Sequence, residues 1–180
     1  MIYHPAKYWR RRGKVYEAEA VDGGWVDVEN EPLFKILDGL PFESVLEVGC
    51  GFGRVGAALK RHYPGIHYTG LDVSPDMVDS ALRRIPDSGF ICADVATWTS
   101  NLQWDLVVAV SVLGHILPTD IENVIAKMRK WARKDVVAID WDDVGNSTSF
   151  QFGHDYRRIY GDALISEVPY GRQTVFHVRP

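Results

Sequence analysis

The sequence has few cysteines, no long hydrophobic run and no excess of positive charge. Its two cysteines, Cys50 and Cys92, form neither a CxxC metal pair nor a disulfide framework. The longest strongly apolar run, 106–117, is well short of the ~20 residues that a bilayer-spanning helix requires. A formal net charge of -4 offers no electrostatic attraction to nucleic acid or an anionic membrane surface. These features disfavour redox, membrane and nucleic-acid roles.

The length and composition are those of an ordinary globular chain. A chain of 180 residues that is 46% hydrophobic buries enough surface to fold without disulfides or a structural metal. The N-terminus reaches the run Arg10–Arg12 without an apolar core segment, which is the wrong order for a secretory signal. We therefore expect a single domain over residues 1–180, located in the cytoplasm.

Strand-like and helix-like segments alternate from residue 44 onward. The predicted strands are 44–48, 67–72, 90–93, 105–112 and 136–141, and the predicted helices between them are 54–63, 75–84 and 119–133. An earlier helix is predicted to begin after a cap at Asn30 and to end before Pro41. The segments 163–168 and 174–178 flank a Pro/Gly turn and predict an antiparallel hairpin. The expected fold is doubly wound α/β, with a mostly parallel seven-stranded sheet and helices on both faces.

A glycine-rich turn between the first strand and the following helix is the strongest local signal. Glycines at 49, 51 and 53 remove side chains that would block a ligand, at the strand end where open α/β sheets bind nucleotide-like groups. The segment 51–56 also fits G-x-G-x-x-G, and Asp72 suits a ribose in either interpretation. A nicotinamide or flavin oxidoreductase therefore stays open at this point. Against it, the Tyr-x-x-x-Lys pair Tyr3 and Lys7 precedes the glycine turn.

Four motifs in order make residues 44–141 resemble the core of class I S-adenosylmethionine-dependent methyltransferases. The matching segments are Glu47–Gly53, Leu71–Ser74 with Met77, Cys92–Val95, and Trp104–Val107. The resemblance implies transfer of a methyl group from S-adenosylmethionine to an oxygen, nitrogen or carbon of a small molecule, with S-adenosylhomocysteine as the product. It leaves open a non-catalytic subunit that only binds the cofactor.

The resemblance also implies which residues contact the cofactor. Gly49, Cys50 and Gly51 would lie against the methionine part, and Asp72 would accept hydrogen bonds from both ribose hydroxyls. Asp94 would accept from the adenine amino group, and Val95 would donate its backbone N–H to a ring nitrogen. The remaining implied residues are Val73 and Met77 against the adenine, together with Glu47, Gly53 and Ser111. Glu47 is expected to organise the glycine turn through backbone N–H groups.

The acceptor side is expected after the fourth and fifth strands and in the N-terminal segment. His115 is the candidate proton acceptor, with structural packing as its alternative role. Tyr3, Tyr8 and Trp9 are candidate aromatic walls, with a surface helix that carries a basic face as the alternative, and Trp141 is a further candidate substrate residue. Acidic residues at 140, 142 and 143 are expected in a solvated turn, and no metal site is predicted. The chain lacks the Asn/Asp-Pro-Pro-Tyr/Phe motif of methylases that act on nucleobase amines, which supports a small-molecule acceptor.

The predicted domain has three parts. Residues 1–40 form an N-terminal lid or substrate segment, 44–141 the cofactor-binding core, and 150–180 the C-terminal helix and hairpin. Lys127 and the cations that follow it are expected on a solvated helix face. A monomer and a homodimer both remain possible.

Overall fold

Seven strands form one sheet in the computed structural model, which describes residues 3–24 and 32–180. The strands are β1 (Ser44–Val48), β2 (His67–Asp72), β3 (Gly89–Cys92), β4 (Trp104–Val110), β5 (Ala132–Trp141), β6 (Leu164–Tyr170) and β7 (Gln173–Val178). Their order is β3-β2-β1-β4-β5-β7-β6. Strands β1 to β5 pair in parallel, and β7 is antiparallel to both β5 and β6. The predicted fold class is confirmed, including the C-terminal hairpin.

Three helices connect parallel strands: α3 (Arg54–His62), α4 (Pro75–Arg84) and α5 (Ile121–Trp131). The helices α1 (Pro5–Asp22) and α2 (Pro32–Leu37) precede β1, and α6 (Tyr156–Tyr160) lies between β5 and the hairpin. Ser74 caps α4 by accepting a hydrogen bond from the backbone N–H of Met77, as its position before Pro75 predicts. The predicted cap Asn30 lies outside the described residues.

β5 begins earlier than predicted, at Ala132 rather than at residue 136. Its first residues are polar, and Arg133 and Lys134 are directed to the edge of the sheet by specific partners. Arg133 donates to the carboxylate of Asp105, and Lys134 donates to the backbone oxygen of Pro41. Cations are also typical of the last turn of a helix. The sequence pattern therefore extends the predicted helix to residue 133, whereas the helix ends at Trp131.

β4 divides the core into two layers. Every residue from Trp104 to Val110 is buried, and alternate side chains enter opposite layers because successive residues of a strand face opposite sides of the sheet. Val107 and Ala109 pack with α5 and α6, whereas Leu106 and Val108 pack with α2 and α3. The sheet is therefore covered on both faces, and its carboxyl edge is left for a site.

α1 lies over that carboxyl edge and packs on α4. Gly13 permits the close approach, since a Cβ there would lie 2.3 Å from Ser74 Oγ. The Nε of Arg10 donates to the backbone oxygen of Val73, and Arg84 pairs with Glu17 at 3.2 Å. In the part of the chain that the structure describes, neither α1 nor any other helix has the length and apolar character needed to cross a membrane.

Candidate functional site

A cleft opens beneath α1 where the carboxyl ends of β1, β2 and β4 meet. It holds about 960 Å³ of empty space, including the solvent at its mouth. Most of the predicted cofactor residues line it: Glu47, Gly49, Cys50, Gly51, Asp72, Val73, Met77, Asp94, Val95 and Ser111. Gly53 does not; it precedes the first residue of α3. Trp9 and His115 line the same cleft, whereas Tyr8 and Trp141 do not.

Gly51 leaves the backbone of the glycine turn open to the cleft. Its φ is 52°, a conformation that favours glycine, and a Cβ built there would meet no atom within 4 Å. Its N–H donates to Asp72 Oδ2 at 2.9 Å, which ties the end of β1 to the end of β2. A ligand is thus able to approach the main chain at this position.

Asp72 is held rigidly between two backbone donors. Its Oδ2 accepts from Gly51, and its Oδ1 accepts from the N–H of Ser74 at 2.9 Å. Burial raises the pKa of Asp72 above its ordinary value, while these backbone hydrogen bonds act in the opposite direction. Each oxygen has one further acceptor position, so the carboxylate is able to accept a pair of hydroxyl donors as well.

The segment after β3 is fixed by a lysine of α5. Asp94 Oδ1 accepts from the N–H of Ala96 at 2.9 Å, which forms a turn. Lys127 Nζ donates to three backbone oxygens of this segment, those of Val95, Ala96 and Trp98. The expectation of a solvated Lys127 is wrong. Lys127 borders the buried face of α5, and this position is the signal that predicts the contact.

Glu47 lies under the cleft, with 2% of its surface exposed. Its Oε2 accepts a 2.5 Å hydrogen bond from the hydroxyl of Tyr68 on β2. Burial raises the pKa of Glu47 to about 8, against the opposing effects of the Tyr68 hydrogen bond and the charge of Arg54. The side chain therefore binds the neighbouring strand β2, and its backbone donor is Gly56 of α3 rather than a residue of the glycine turn.

His115 closes the other end of the cleft. Its Nδ1 lies 2.8 Å from the backbone oxygen of Phe150. A carbonyl oxygen only accepts, so we assign the proton to Nδ1, which leaves Nε2 unprotonated. Burial lowers the pKa of His115 below its ordinary value of 6.5, so the ring is neutral at pH 7. The rings of Trp9 and His115 form a T-shaped contact, with 4.9 Å between their centroids.

Asp140 organises the turn that carries His115. It is fully buried, and its carboxylate accepts from the backbone N–H groups of Val112, Leu113 and Gly114 at 2.9, 2.6 and 3.1 Å. Burial raises the pKa of Asp140 to about 7, while these donors act in the opposite direction. The expectation of a solvated turn is wrong for this residue. Its position in a strand that pairs on both edges is the signal for burial.

The neighbouring acids are engaged with cations. Asp142 forms a two-point pair with Arg157 at 2.9 and 2.8 Å, and Asp143 pairs with Arg172 at 2.7 Å. Across residues 3–24 and 32–180, no three side chains of metal-ligating type come together. These acids hold the chain after β5 in place.

Ser111 has a left-handed backbone at the end of β4, with a φ of 57°. The conformation costs energy for a residue with a side chain and is often found at functional sites. Its N–H donates to the backbone oxygen of Ile139 at 2.7 Å, and its hydroxyl oxygen accepts from the side-chain amide of Gln173 at 2.8 Å. The hydroxyl contact joins the cleft to β7, which sequence spacing does not predict.

The predicted aromatic walls separate into two layers. Trp9 faces the cleft, and Tyr8 packs behind it with 5.2 Å between ring centroids. Tyr8 also stacks on Phe150 at 5.7 Å, and Trp141 lies 5.9 Å from the ring of His115. Consecutive helix residues point about 100° apart, which explains why Trp9 faces the cleft and Tyr8 faces the groove behind it.

Sequence comparison decides the family. Residues 46–138, more than half of the chain, match the profile of a methyltransferase domain family. The chain belongs to this methyltransferase family. It is 37% identical over 90 residues to trans-aconitate 2-methyltransferase of Methylobacterium radiotolerans, and 34% identical over 83 residues to the Escherichia coli enzyme of that name. These matches cover 48% and 44% of this chain but only 35% and 33% of the relatives, about a third of their length.

Solved structures show the same methyltransferase fold over nearly the whole chain. Magnesium protoporphyrin IX methyltransferase from Synechocystis PCC 6803, crystallised with S-adenosylmethionine, has a TM-score of 0.72 at 17% identity and covers 99% of this chain and 98% of its own. The DhpI complex with S-adenosylhomocysteine has a TM-score of 0.73 at 22% identity, covering 98% and 95%. The predicted class I methyltransferase fold is confirmed, and the oxidoreductase alternative loses its support.

Proposed function

We propose that this methyltransferase-family chain transfers the methyl group of S-adenosylmethionine to an oxygen, nitrogen or carbon nucleophile of a small molecule. One observation carries the proposal. A single cleft joins an open glycine turn and two strand-end carboxylates, Asp72 and Asp94, to a half-buried neutral histidine, His115. The first group suits an adenosyl ligand, and the histidine suits an acceptor.

The chemistry of the cleft fits the cofactor. Gly51 exposes backbone where a Cβ would otherwise project, and Asp72 retains acceptor positions for two hydroxyl groups. The carboxylates of Asp72 and Asp94 lie around the same space and complement a cationic sulfonium. Trp9 supplies an aromatic surface of the kind that attracts such a cation.

S-adenosylmethionine, when bound, supplies an electrophilic methyl group. The residues of the chain orient the acceptor, exclude water and accept a proton. Orientation alone lowers a barrier by ~7 to 11 kcal/mol, so no conspicuous catalytic group is required. The unprotonated Nε2 of His115 is suited to take the proton from a hydroxyl or amine, while the Nδ1 proton remains hydrogen-bonded to Phe150. α1 covers the cleft and limits the access of water.

Calorimetry with S-adenosylhomocysteine tests the cofactor. We expect binding of this compound and none of NAD. Asp72→Ala should weaken the affinity more than about tenfold, because hydrogen bonds to a charged group contribute ~1.5 to 3 kcal/mol. Asp79→Ala removes an exposed carboxylate of the adjacent helix and should leave the affinity unchanged. Binding of NAD alone would overturn the proposed function, and an unaltered Asp72→Ala affinity would remove Asp72 from the site.

Turnover over a panel of small acceptors separates the enzyme from the non-catalytic subunit. His115→Gln should lower kcat by about a hundredfold or more, the usual loss when a general base is removed, and leave S-adenosylhomocysteine binding unchanged. Binding of the cofactor product with no turnover of any acceptor would favour the non-catalytic alternative. The trans-aconitate name of the curated relatives makes carboxylic acids the first acceptors to include.

A further inference from the structure

A second groove lies on another face of α1, beside the cofactor cleft. It holds about 1200 Å³ of empty space, including solvent at its mouth, and none of its lining residues lines the cleft. One wall is the helix face that carries Lys7, Arg11 and Arg12. The other is aromatic, with Tyr3 and Phe150. Its lining therefore combines cations with flat apolar surface.

The cations of this groove are in excess over nearby acids. Arg12 is paired with Glu19, but among the described residues neither Lys7 nor Arg11 has an ion-pair partner. The two residues are one helical turn apart on the same face, so their charges act on the same space. Because the whole chain has a net charge of -4, this concentration of positive charge is local. Such a surface attracts an anion.

Phe150 of the groove contacts His115 at the acceptor end of the cleft. Phe150 stacks with Tyr8 of the groove at 9° between ring planes, and with His115 of the cleft at 13°. Its backbone oxygen accepts the Nδ1 proton of His115. A single aromatic residue thus separates the cations of the groove from the proton acceptor of the cleft.

The charges of the two cavities are opposite. The cleft contains the two strand-end carboxylates, Asp72 and Asp94, which suit a sulfonium and repel an anionic group. The groove beside it offers Lys7 and Arg11. An elongated acceptor that passes over the exposed part of Phe150 therefore gains by placing its anionic end in the groove and its nucleophile near His115.

We propose that the groove formed by α1 and the segment 149–150 binds the anionic end of the methyl acceptor, an organic anion with a planar apolar body. The inference rests on the proposed methyl transfer. Carboxylate and phosphate groups share the required chemistry, since both accept hydrogen bonds from Lys and Arg. Phe150 and Tyr3 supply the surface on which the planar body packs.

Calorimetry with three naphthalene compounds, in the presence of saturating S-adenosylhomocysteine, tests the groove. We expect 1-naphthoate or 1-naphthyl phosphate to bind about tenfold or more tightly than uncharged 1-naphthamide, as expected for charge-assisted contacts. The tighter of the two anions identifies the preferred group. Lys7→Gln with Arg11→Gln should reduce anion affinity about fivefold or more, within the range of two exposed ion pairs, and leave 1-naphthamide binding unchanged.

The matched control is Lys35→Gln with Lys130→Gln, which removes two exposed lysines on α2 and α5. This variant should keep the full preference for the anions. Equal binding of charged and uncharged compounds, or an equal loss in the control, would overturn the proposal.

Kinetics separate the groove from the proposed function. For an anionic acceptor of the panel, Lys7→Gln with Arg11→Gln should raise KM about fivefold or more at unchanged kcat, and the KM of an uncharged acceptor should not change. An unchanged KM would refute the acceptor role even if anions bind. Failure of wild-type protein to bind S-adenosylhomocysteine would refute the methyl transfer itself, whereas intact cofactor binding without anion preference refutes only the groove.

Discussion

Replacing Glu47 with Gln should remove a pH dependence from the stability of the protein. The pKa of Glu47 is raised to about 8 from an ordinary value of 4.5, mainly because the side chain is buried. Since the folded state holds this proton more tightly than the unfolded state does, the free energy of unfolding is highest below pH 4.5. It falls as the pH rises and reaches its lower limit above pH 8.

The size of the effect follows from the two pKa values. Their separation corresponds to about 5 kcal/mol over the whole range, at about 1.4 kcal/mol for each tenfold change in proton affinity. The titration curve of a single group places about 2 kcal/mol of this loss between pH 6 and pH 8. Glu47→Gln keeps an acceptor for the Tyr68 hydroxyl but does not titrate.

Urea denaturation at pH 6, 7 and 8 measures the difference between the two proteins. Asp140, whose pKa is also raised by burial, contributes the same slope to both, so its effect cancels. The wild-type protein should lose about 2 kcal/mol more than Glu47→Gln between pH 6 and pH 8. A stability difference that is the same at all three pH values would refute the assignment of a buried, protonated Glu47.

Three substitutions test the packing around the cleft by thermal unfolding. Gly56→Ala should cost ~1 to 3 kcal/mol and lower Tm by roughly 2–12 °C, because its Cβ would lie 2.4 Å from the ring of Tyr68. Lys127→Met should cost ~1 to 3 kcal/mol and weaken S-adenosylhomocysteine binding, since three backbone oxygens lose their donor. Asp140→Asn should cost ~1 to 3 kcal/mol. In the wild-type protein the backbone N–H donors share two carboxylate oxygens, whereas an asparagine amide offers them only one oxygen.

Each substitution has a matched control in the same chain. A Cβ at Gly39 meets its nearest atom at 3.6 Å, so Gly39→Ala should leave Tm nearly unchanged. Lys130→Met removes an exposed lysine from the same helix as Lys127, and Asp143→Asn alters an acid whose partner, Arg172, is highly exposed. A control that lowers Tm as much as its partner substitution would contradict the packing described here.

The sequence predicts the sheet and most of the cleft because both depend on local pattern. Strands and turns follow from hydrophobic period and glycine spacing, and Asp72 and Asp94 follow from their place after a strand. What the sequence does not reveal depends on contacts across the chain. Asp140 reaches the turn at 112–114, and Lys127 reaches the segment after β3. Both are charged residues that look exposed until their distant backbone partners are known.

The N-terminal segment shows the same division. The lid role of this segment stays a prediction, and the face that α1 presents to the cleft is set by rotation about the helix axis. That rotation directs Trp9 into the cleft and leaves Tyr8 in the groove. A pattern of adjacent aromatics does not specify it, because either residue is able to pack against the sheet edge.

The closeness of α1 to the start of α4 rests on one missing methyl group. At residue 13 the Cβ of an alanine would lie 2.3 Å from Ser74 Oγ, so either the two helices or the Ser74 side chain that caps α4 would have to shift. α1 forms the roof of the cofactor cleft with one face and a wall of the basic groove with another. A change as small as one methyl group at residue 13 would therefore act on both cavities together through the position of α1.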